Sequence, residues 1–164
     1  MNDARMTDTT VRVIATENYT FSENDLTKQT VLAEIKLRKV LLERLTILRL
    51  AGLFGPNRHP VKFLAGKINL PYGDAPLNLI HLNDVIRLIE QIITVNYWGE
   101  ILNGCYPNHP SKKEYYEKAA FFYKLQVPKF LDGGELFKKI SSHKSITELK
   151  FKYENSIFNL ESID

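Results

Sequence analysis

Apolar residues recur at helical spacing in three segments of the chain. From about Thr27 to Arg44, Val, Leu and Ile alternate with Lys, Glu and Arg in the steps of an amphipathic helix. A second pattern, NDVIRLIEQIITV, begins at Asn83, a residue type that favours the N-cap position. The third opens with an S-x-x-E capping box, Ser111 to Glu114, and predicts a helix through about Lys124. One face of the second helix is predicted to carry Val85, Leu88, Ile89, Ile92 and Ile93.

Short apolar runs between these helices predict β-strands. They are Val11 to Ala15, Leu45 to Leu50, Leu77 to Leu82 and Glu100 to Cys105. The run LTILRL is almost continuously apolar, which is typical of a strand covered on both faces in a parallel sheet, and we expect Gly52 to end it. A helix, a buried strand and a glycine-rich loop in succession indicate an α/β fold.

The remaining segments give weaker signals. TENYTFSEND is polar and turn-like, and VKFLAGK predicts a short helix. After the third helix we expect loops, a short helix near Ser145 to Leu149 and an exposed C-terminal segment. The third helix is rich in aromatic residues, which we interpret as core rather than ligand-stacking positions because aromatic side chains stabilise mainly by burial. These residues are Tyr115, Tyr116, Phe121, Phe122 and Tyr123.

Composition narrows the class of protein. The 164 residues, 44% hydrophobic and 25% charged, suit a single domain spanning residues 1–164. The net charge of +3 is small and its cations are scattered, so we expect no nucleic-acid partner. No apolar run approaches membrane-spanning length, the polar N-terminal segment MNDARMTDTT is unlike a signal peptide, and Cys105 is the one cysteine. We therefore expect a cytoplasmic protein. The four histidines lack tight metal-ligand spacing, and we predict no metal site.

Four segments, in this order, resemble the C-terminal half of NAD(P)-dependent epimerase/dehydratase-like proteins, which are extended or atypical short-chain dehydrogenase/reductases. They are LTILRLAGLFGPNRHP, APLNLIHLNDVIRLI, GEILNGCYPNHPSKKEYYEKAA and KKISSHKSITELKF. The resemblance runs from about Thr30 to the C-terminus and leaves residues 1–26 poorly matched. It implies a partial Rossmann-like fold, with C-terminal strands and helices and a small substrate-side subdomain.

The resemblance also shows what this sequence does not contain. Family members begin with a strand and a glycine-rich turn that holds the dinucleotide pyrophosphate, and this chain lacks that N-terminal βαβ unit. The family's catalytic Y-x-x-x-K pair is also absent, and Tyr19, near the corresponding position, has no serine before it. We therefore assign no catalytic residue. NAD or NADP is implied by the resemblance alone, and we expect neither to bind tightly to this chain by itself.

The resemblance implies a few binding residues. The loop after the LTILRL strand would pass the nicotinamide end of the cofactor. Arg58, His59 and His81 would lie on the substrate side, the first two as exposed loop residues. For His81 we favour a structural role, a hydrogen bond to the backbone at a strand end, with Asp84 in the first turn of the next helix. Leu77 stands where nucleotide-sugar epimerases commonly have an arginine. The residues implied at the nicotinamide are Leu50, Ala51, Gly52 and Leu53.

Two further positions are expected to be structural. Asn103 matches a family asparagine and is interpreted as fixing a loop by hydrogen bonding, and Cys105 as a small buried apolar residue. Two functions remain open for the whole chain. It is either a truncated or partial oxidoreductase, inactive alone, that lacks its N-terminal half, or a non-catalytic protein that self-associates or binds a partner through the fold remnant.

Overall fold

The computed structural model describes residues 11–15, 25–133 and 136–163, with side chains for residues 29–133 and 138–161. Tyr19 and most of the predicted turn around it lie outside the described residues. Within the described part of the chain, no helix is long and apolar enough to cross a membrane. The helices are α1 (Asp25–Leu41), α2 (Val61–Leu64), α3 (Leu82–Thr94), α4 (Lys112–Phe122) and α5 (His143–Thr147). The strands are β1 (Val11–Ala15), β2 (Ile47–Leu50), β3 (Gly52–Phe54), β4 (Leu79–His81), β5 (Ile101–Gly104) and β6 (Leu136–Ile140). Short 3-10 turns cover Leu42–Arg44 and Leu160–Ile163.

The strands form three parallel pairs, β1 with β6, β2 with β5 and β3 with β4. Helices α1 and α3 lie between strands along the chain, so the predicted α/β class is confirmed. Strand β6 was not predicted, because its segment was interpreted as loop. It pairs with β1, more than a hundred residues earlier in the sequence, and such distant pairing leaves no local signal.

The prediction that Gly52 ends the LTILRL strand is wrong. Strand β2 ends at Leu50, and Gly52 is the first residue of β3. The Ala51 amide donates to the Gly104 carbonyl (2.9 Å) and the Gly52 amide to the Asn78 carbonyl (3.1 Å), so the chain passes from one sheet to the next between these two residues. A Cβ at Gly52 would lie 2.9 Å from the Leu79 side chain and 3.1 Å from the Asn78 carbonyl oxygen. The residue must therefore be small.

Helix α3 packs on the strands with a narrower face than predicted. Val85, Leu88 and Ile92 are buried, but Ile89 and Ile93 are exposed to 44% and 55%, and their predicted place on the buried face is corrected. The N-cap is His81 rather than Asn83.

The capping prediction for α4 is confirmed, since the Ser111 hydroxyl accepts a hydrogen bond from the Glu114 amide at 3.1 Å. The core interpretation of its aromatic residues is confirmed for Tyr115 and Tyr116, which are buried. It is wrong for Phe121, which is 84% exposed, and for Phe122, which is also exposed.

The prediction of an exposed C-terminal segment is also wrong. Phe151 and Ile157 are buried and belong to two different hydrophobic clusters. The first cluster, around α4, contains Phe54, Val61, Leu77, Leu79, Tyr115, Tyr116, Ala119, Ala120 and Ile157. The second contains Leu88, Ile92, Leu102, Leu149 and Phe151, and the third Ala51, Ile80, Val85 and Cys105.

Candidate functional site

The four residues implied at the nicotinamide lie where β2 gives way to β3. Ala51 is buried in the third cluster, whereas Leu50 and Leu53 are 40% and 39% exposed and Gly52 is also exposed. Leu50 is the last residue of β2 and the other three follow it, so all four lie at the carboxyl end of β2, the edge at which open parallel sheets bind ligands. The structure thus places an exposed apolar surface at this edge, formed by two leucines around a glycine.

The Phe54 ring contacts two of the implied substrate residues, His59 and His81. The Phe54 ring meets the His81 ring edge-to-face at 5.1 Å between centroids and the His59 ring at 5.9 Å. Arg58 is exposed in the adjoining turn, which is closed by a hydrogen bond from its amide to the Gly55 carbonyl. His59 and His81 are therefore neighbours through Phe54, while Arg58 faces the surface.

His59 is fully buried, so the expectation that it is an exposed loop residue is wrong. Its Nδ1 accepts a hydrogen bond from the Val61 amide (3.2 Å), which leaves the proton of the neutral ring on Nε2. Nε2 lies 2.9 Å from the Tyr115 hydroxyl and donates to it. Burial, reinforced by the charge of Lys62, lowers the pKa of His59 to about 4, so the ring is neutral near pH 7.

Tyr115 connects this histidine to the C-terminal segment. Its hydroxyl donates to the Ile157 carbonyl at 2.9 Å while it accepts from His59. Burial, with the neighbouring Tyr116 and Tyr123, raises the pKa of Tyr115, so its hydroxyl stays protonated. A buried tyrosine that is held in two hydrogen bonds is suited to structure rather than to proton transfer.

His81 has the backbone hydrogen bond that was predicted for it. Its Nδ1 accepts from the Asn83 amide (3.1 Å) and caps α3 at the end of β4. Burial lowers the pKa of His81, an effect that the Asp84 charge partly opposes. The buried Nε2 has no hydrogen-bond partner among the described residues.

Asp84 lies in the first turn of α3, as predicted, but its main contacts are elsewhere. The buried carboxylate accepts from the Glu154 amide (3.2 Å), the Asn155 amide (3.1 Å) and the Asn155 side chain (2.9 Å). It also pairs with Arg87 at 3.0 Å. Asp84 therefore fixes the C-terminal segment on α3, a role that needs contacts some seventy residues apart and was not predicted.

Two asparagines near the strand ends hold neighbouring elements together, and Cys105 is buried in the core. Asn103 donates to the Ser141 carbonyl (3.0 Å), as its predicted loop-fixing role requires. Cys105 is buried, as predicted, and burial raises the pKa of its thiol to about 12, so it remains protonated. Asn78, missed by the sequence analysis, donates to the Lys138 carbonyl (2.7 Å) and accepts from the Ile140 amide (2.8 Å), which fixes β6 beside the start of β4. An isolated asparagine before a strand carries no signal for such a contact.

The described side chains around Phe54 serve mainly to hold the structure together. The described histidines and tyrosines around Phe54 are engaged in structural hydrogen bonds or buried without access to solvent. Among the residues that the structure describes, no three His, Cys, Asp or Glu side chains are grouped to hold a metal ion.

Comparison with known proteins relates the chain to part of larger proteins. No family model matches it. Protein YeeZ of Escherichia coli strain K12 is 42% identical over 111 residues, which make up 66% of this chain and 40% of YeeZ. The YeeZ of strain O157:H7 gives the same values.

Solved structures extend the match to nearly the whole chain. A conserved protein of unknown function from Silicibacter pomeroyi superposes with a TM-score of 0.76 at 20% identity, covering 92% of this chain and 60% of its own. MoeE5, solved with UDP-glucuronic acid and NAD, superposes with a TM-score of 0.71 at 16% identity. The match covers 92% of this chain and 58% of MoeE5. The UDP-glucuronic acid 4-epimerase of Bacillus cereus, solved with NAD, superposes with a TM-score of 0.67 at 18% identity. The match covers 92% of this chain and 53% of the epimerase.

The chain has part of the epimerase/dehydratase fold. The resemblance found in the sequence is thereby confirmed at the level of the fold. The chain spans about 40% of the length of the curated relatives that it matches and up to 60% of the solved ones.

Proposed function

We propose that this chain is the substrate-side part of an NAD(P)-dependent epimerase/dehydratase-like oxidoreductase and is inactive without a dinucleotide-binding part. The observation that carries the proposal is the fold shared over 92% of the chain with proteins solved in complex with NAD. The sequence contains neither the glycine-rich turn that would hold the pyrophosphate nor a Y-x-x-x-K pair. A cytoplasmic location fits such an enzyme.

Within this proposal the exposed surface at the end of β2 is one wall of the cofactor site. Leu50, Ala51, Gly52 and Leu53 would contact the nicotinamide end, where apolar contacts suit a flat ring. Arg58 would face the substrate directly. His59 and His81, which are buried, would act on the substrate side by holding Phe54 and the two strand ends in place.

Thermal unfolding tests the proposal. We expect NAD(H) or NADP(H) to leave the melting temperature of this chain unchanged, because stabilisation by a ligand scales with its affinity for the folded state. The Bacillus cereus 4-epimerase, solved with NAD, is the positive control and should melt at a higher temperature with NAD. A rise of several degrees for this chain alone would contradict the expectation that neither cofactor binds tightly without a dinucleotide-binding part.

A second candidate function rests on exposed apolar residues. Helix α1 exposes Leu32, Ile35 and Val40, and α3 exposes Ile89 and Ile93. Such surfaces favour association, which supports a non-catalytic protein that binds itself or another partner. Sedimentation at tens of micromolar tests this alternative, and a monomer at that concentration contradicts self-association.

A further inference from the structure

Phe121 on α4 is the most exposed large apolar side chain in the part of the chain that the structure describes. The next residue, Phe122, is exposed as well. With Leu125, Val127 and Leu160, these two rings form the apolar lining of an open groove at the C-terminal end of α4, which we call the α4 groove. A contiguous apolar patch with charged residues around it is typical of an interaction surface.

Two charged residues flank Phe121 in the α4 groove. Glu117 lies four residues before Phe121 and Lys124 three after it, a spacing that keeps all three on one side, and all three line the groove. Neither Glu117 nor Lys124 forms an ion pair with another described residue. Lys118, which also lines the groove, is already paired with Glu114 at 2.8 Å. The groove therefore presents one unpaired charge of each sign, on opposite sides of a phenylalanine.

We propose that a second copy of this chain covers the α4 groove, with the two α4 helices packed antiparallel about a two-fold axis at Phe121. In such a pair every contact occurs twice, because the same patch is used on both copies. At a rise of about 1.5 Å per residue, Glu117 lies about 6 Å from the axis along the helix and Lys124 about 4.5 Å from it in the opposite direction. The axis therefore brings each Glu117 to Lys124 of the other copy, and both unpaired charges gain a partner.

A second copy suits these charges better than a partner of one sign does. An acidic peptide would meet like charge at Glu117, and a basic peptide would meet it at Lys124. The inference goes beyond the oxidoreductase proposal and does not depend on it, and among the exposed apolar surfaces it selects α4 rather than α1 or α3. Two phenylalanine rings of about 150–250 Å² each cover less than the ~800 Å² that each partner of a stable complex buries, so we expect a weak dimer with a Kd of ~10 μM.

Sedimentation equilibrium of the full 164-residue chain, over about 1–300 μM, tests the position of the interface. Phe121→Asp should raise the Kd of the dimer at least about tenfold, because it places two carboxylates at the axis. Phe63→Asp, at a residue that is 65% exposed but lies outside the groove, and Ile89→Asp on α3 should change the Kd by less than about twofold. All three positions are exposed, so unchanged melting temperatures will show that the variants fold. A monomeric chain, or a dimer that Phe121→Asp leaves intact, overturns the proposal.

Charge reversal tests the two-fold arrangement itself. Glu117→Lys and Lys124→Glu should each weaken the homodimer about threefold or more, because like charges then meet at both ends of the contact. An equimolar mixture of the two variants should dimerise about as tightly as the unaltered chain, since every charge contact in the mixed dimer joins opposite signs. A mixture that associates no more tightly than the separate variants overturns the proposal. These measurements involve no cofactor, so their outcome is independent of the melting experiment with NAD(H).

Discussion

At the scale of single residues, Tyr115 links His59 to the C-terminal segment through two hydrogen bonds. Its hydroxyl serves both His59 and the Ile157 carbonyl. We expect Tyr115→Phe to lower the free energy of unfolding by about 1–3 kcal/mol, because two buried groups lose their partner. Tyr72→Phe is the control, since Tyr72 is exposed, and should change stability by less than about 0.5 kcal/mol. Urea denaturation measures both, and equal effects would contradict the role assigned to the network.

The buried imidazoles should make the protein less stable in acid. Because the pKa of His59 is lowered to about 4, the unfolded chain binds its proton at higher pH than the folded chain does. The contribution of His59 to the free energy of unfolding is therefore fully present above about pH 6.5, and it declines as the pH falls from there towards 4. Burial also lowers the pKa values of His81 and His109, so these two groups add to the loss of stability as the pH falls.

The urea midpoint measured from pH 8 to 4.5 checks this prediction for His59. His59→Gln should flatten the decline of the midpoint below about pH 6.5. His143→Gln should leave it unchanged, because His143 is exposed. A slope that survives His59→Gln in full would contradict the assignment of the acid sensitivity to this ring.

At the scale of elements, the C-terminal segment depends on a single carboxylate of α3. Asp84→Asn keeps the shape but replaces one acceptor oxygen by a donor, opposite the Glu154 and Asn155 amides and Arg87. We expect it to cost about 1–3 kcal/mol, because an amide of the segment loses its acceptor, and to expose the segment to trypsin at Lys150 and Lys152. Asp74→Asn, at an exposed position, should leave the cleavage rate unchanged. Cleavage as slow in Asp84→Asn as in the unaltered chain would contradict the prediction.

The elements that the sequence predicts well are those whose signals are local. Helix α4 follows from its capping box and α3 from its apolar period, and both occur within a few residues of their predicted bounds. Strand β6 and the burial of Ile157 depend on partners far along the chain, β1 and Tyr115. The same holds at the candidate site. The end of β2 at Leu50 was predictable, but the start of β3 at Gly52 was not, and His59 is held by a hydrogen bond across 56 residues.

At the scale of the whole molecule, the C-terminal segment joins parts of the core that otherwise share little. The second and third clusters share Leu48 and Tyr153 as flanking residues, whereas the first, around α4, shares none of its residues with them. The segment contributes Phe151 to the second cluster and Ile157 to the first, with Asp84 fixing the residues between. We therefore expect the clusters to unfold together.

Ile157→Ala tests this cooperativity. Truncating a fully buried isoleucine should cost about 2–5 kcal/mol. If the clusters form one unit, native-state hydrogen exchange will show equal losses of protection in α4, which packs on Ile157, and in α3, which does not belong to that cluster. Ile68→Ala, at an exposed position, should alter neither helix. A loss confined to α4 would instead show two independent units. The C-terminal segment would then contact the first cluster without coupling its stability to that of the other two.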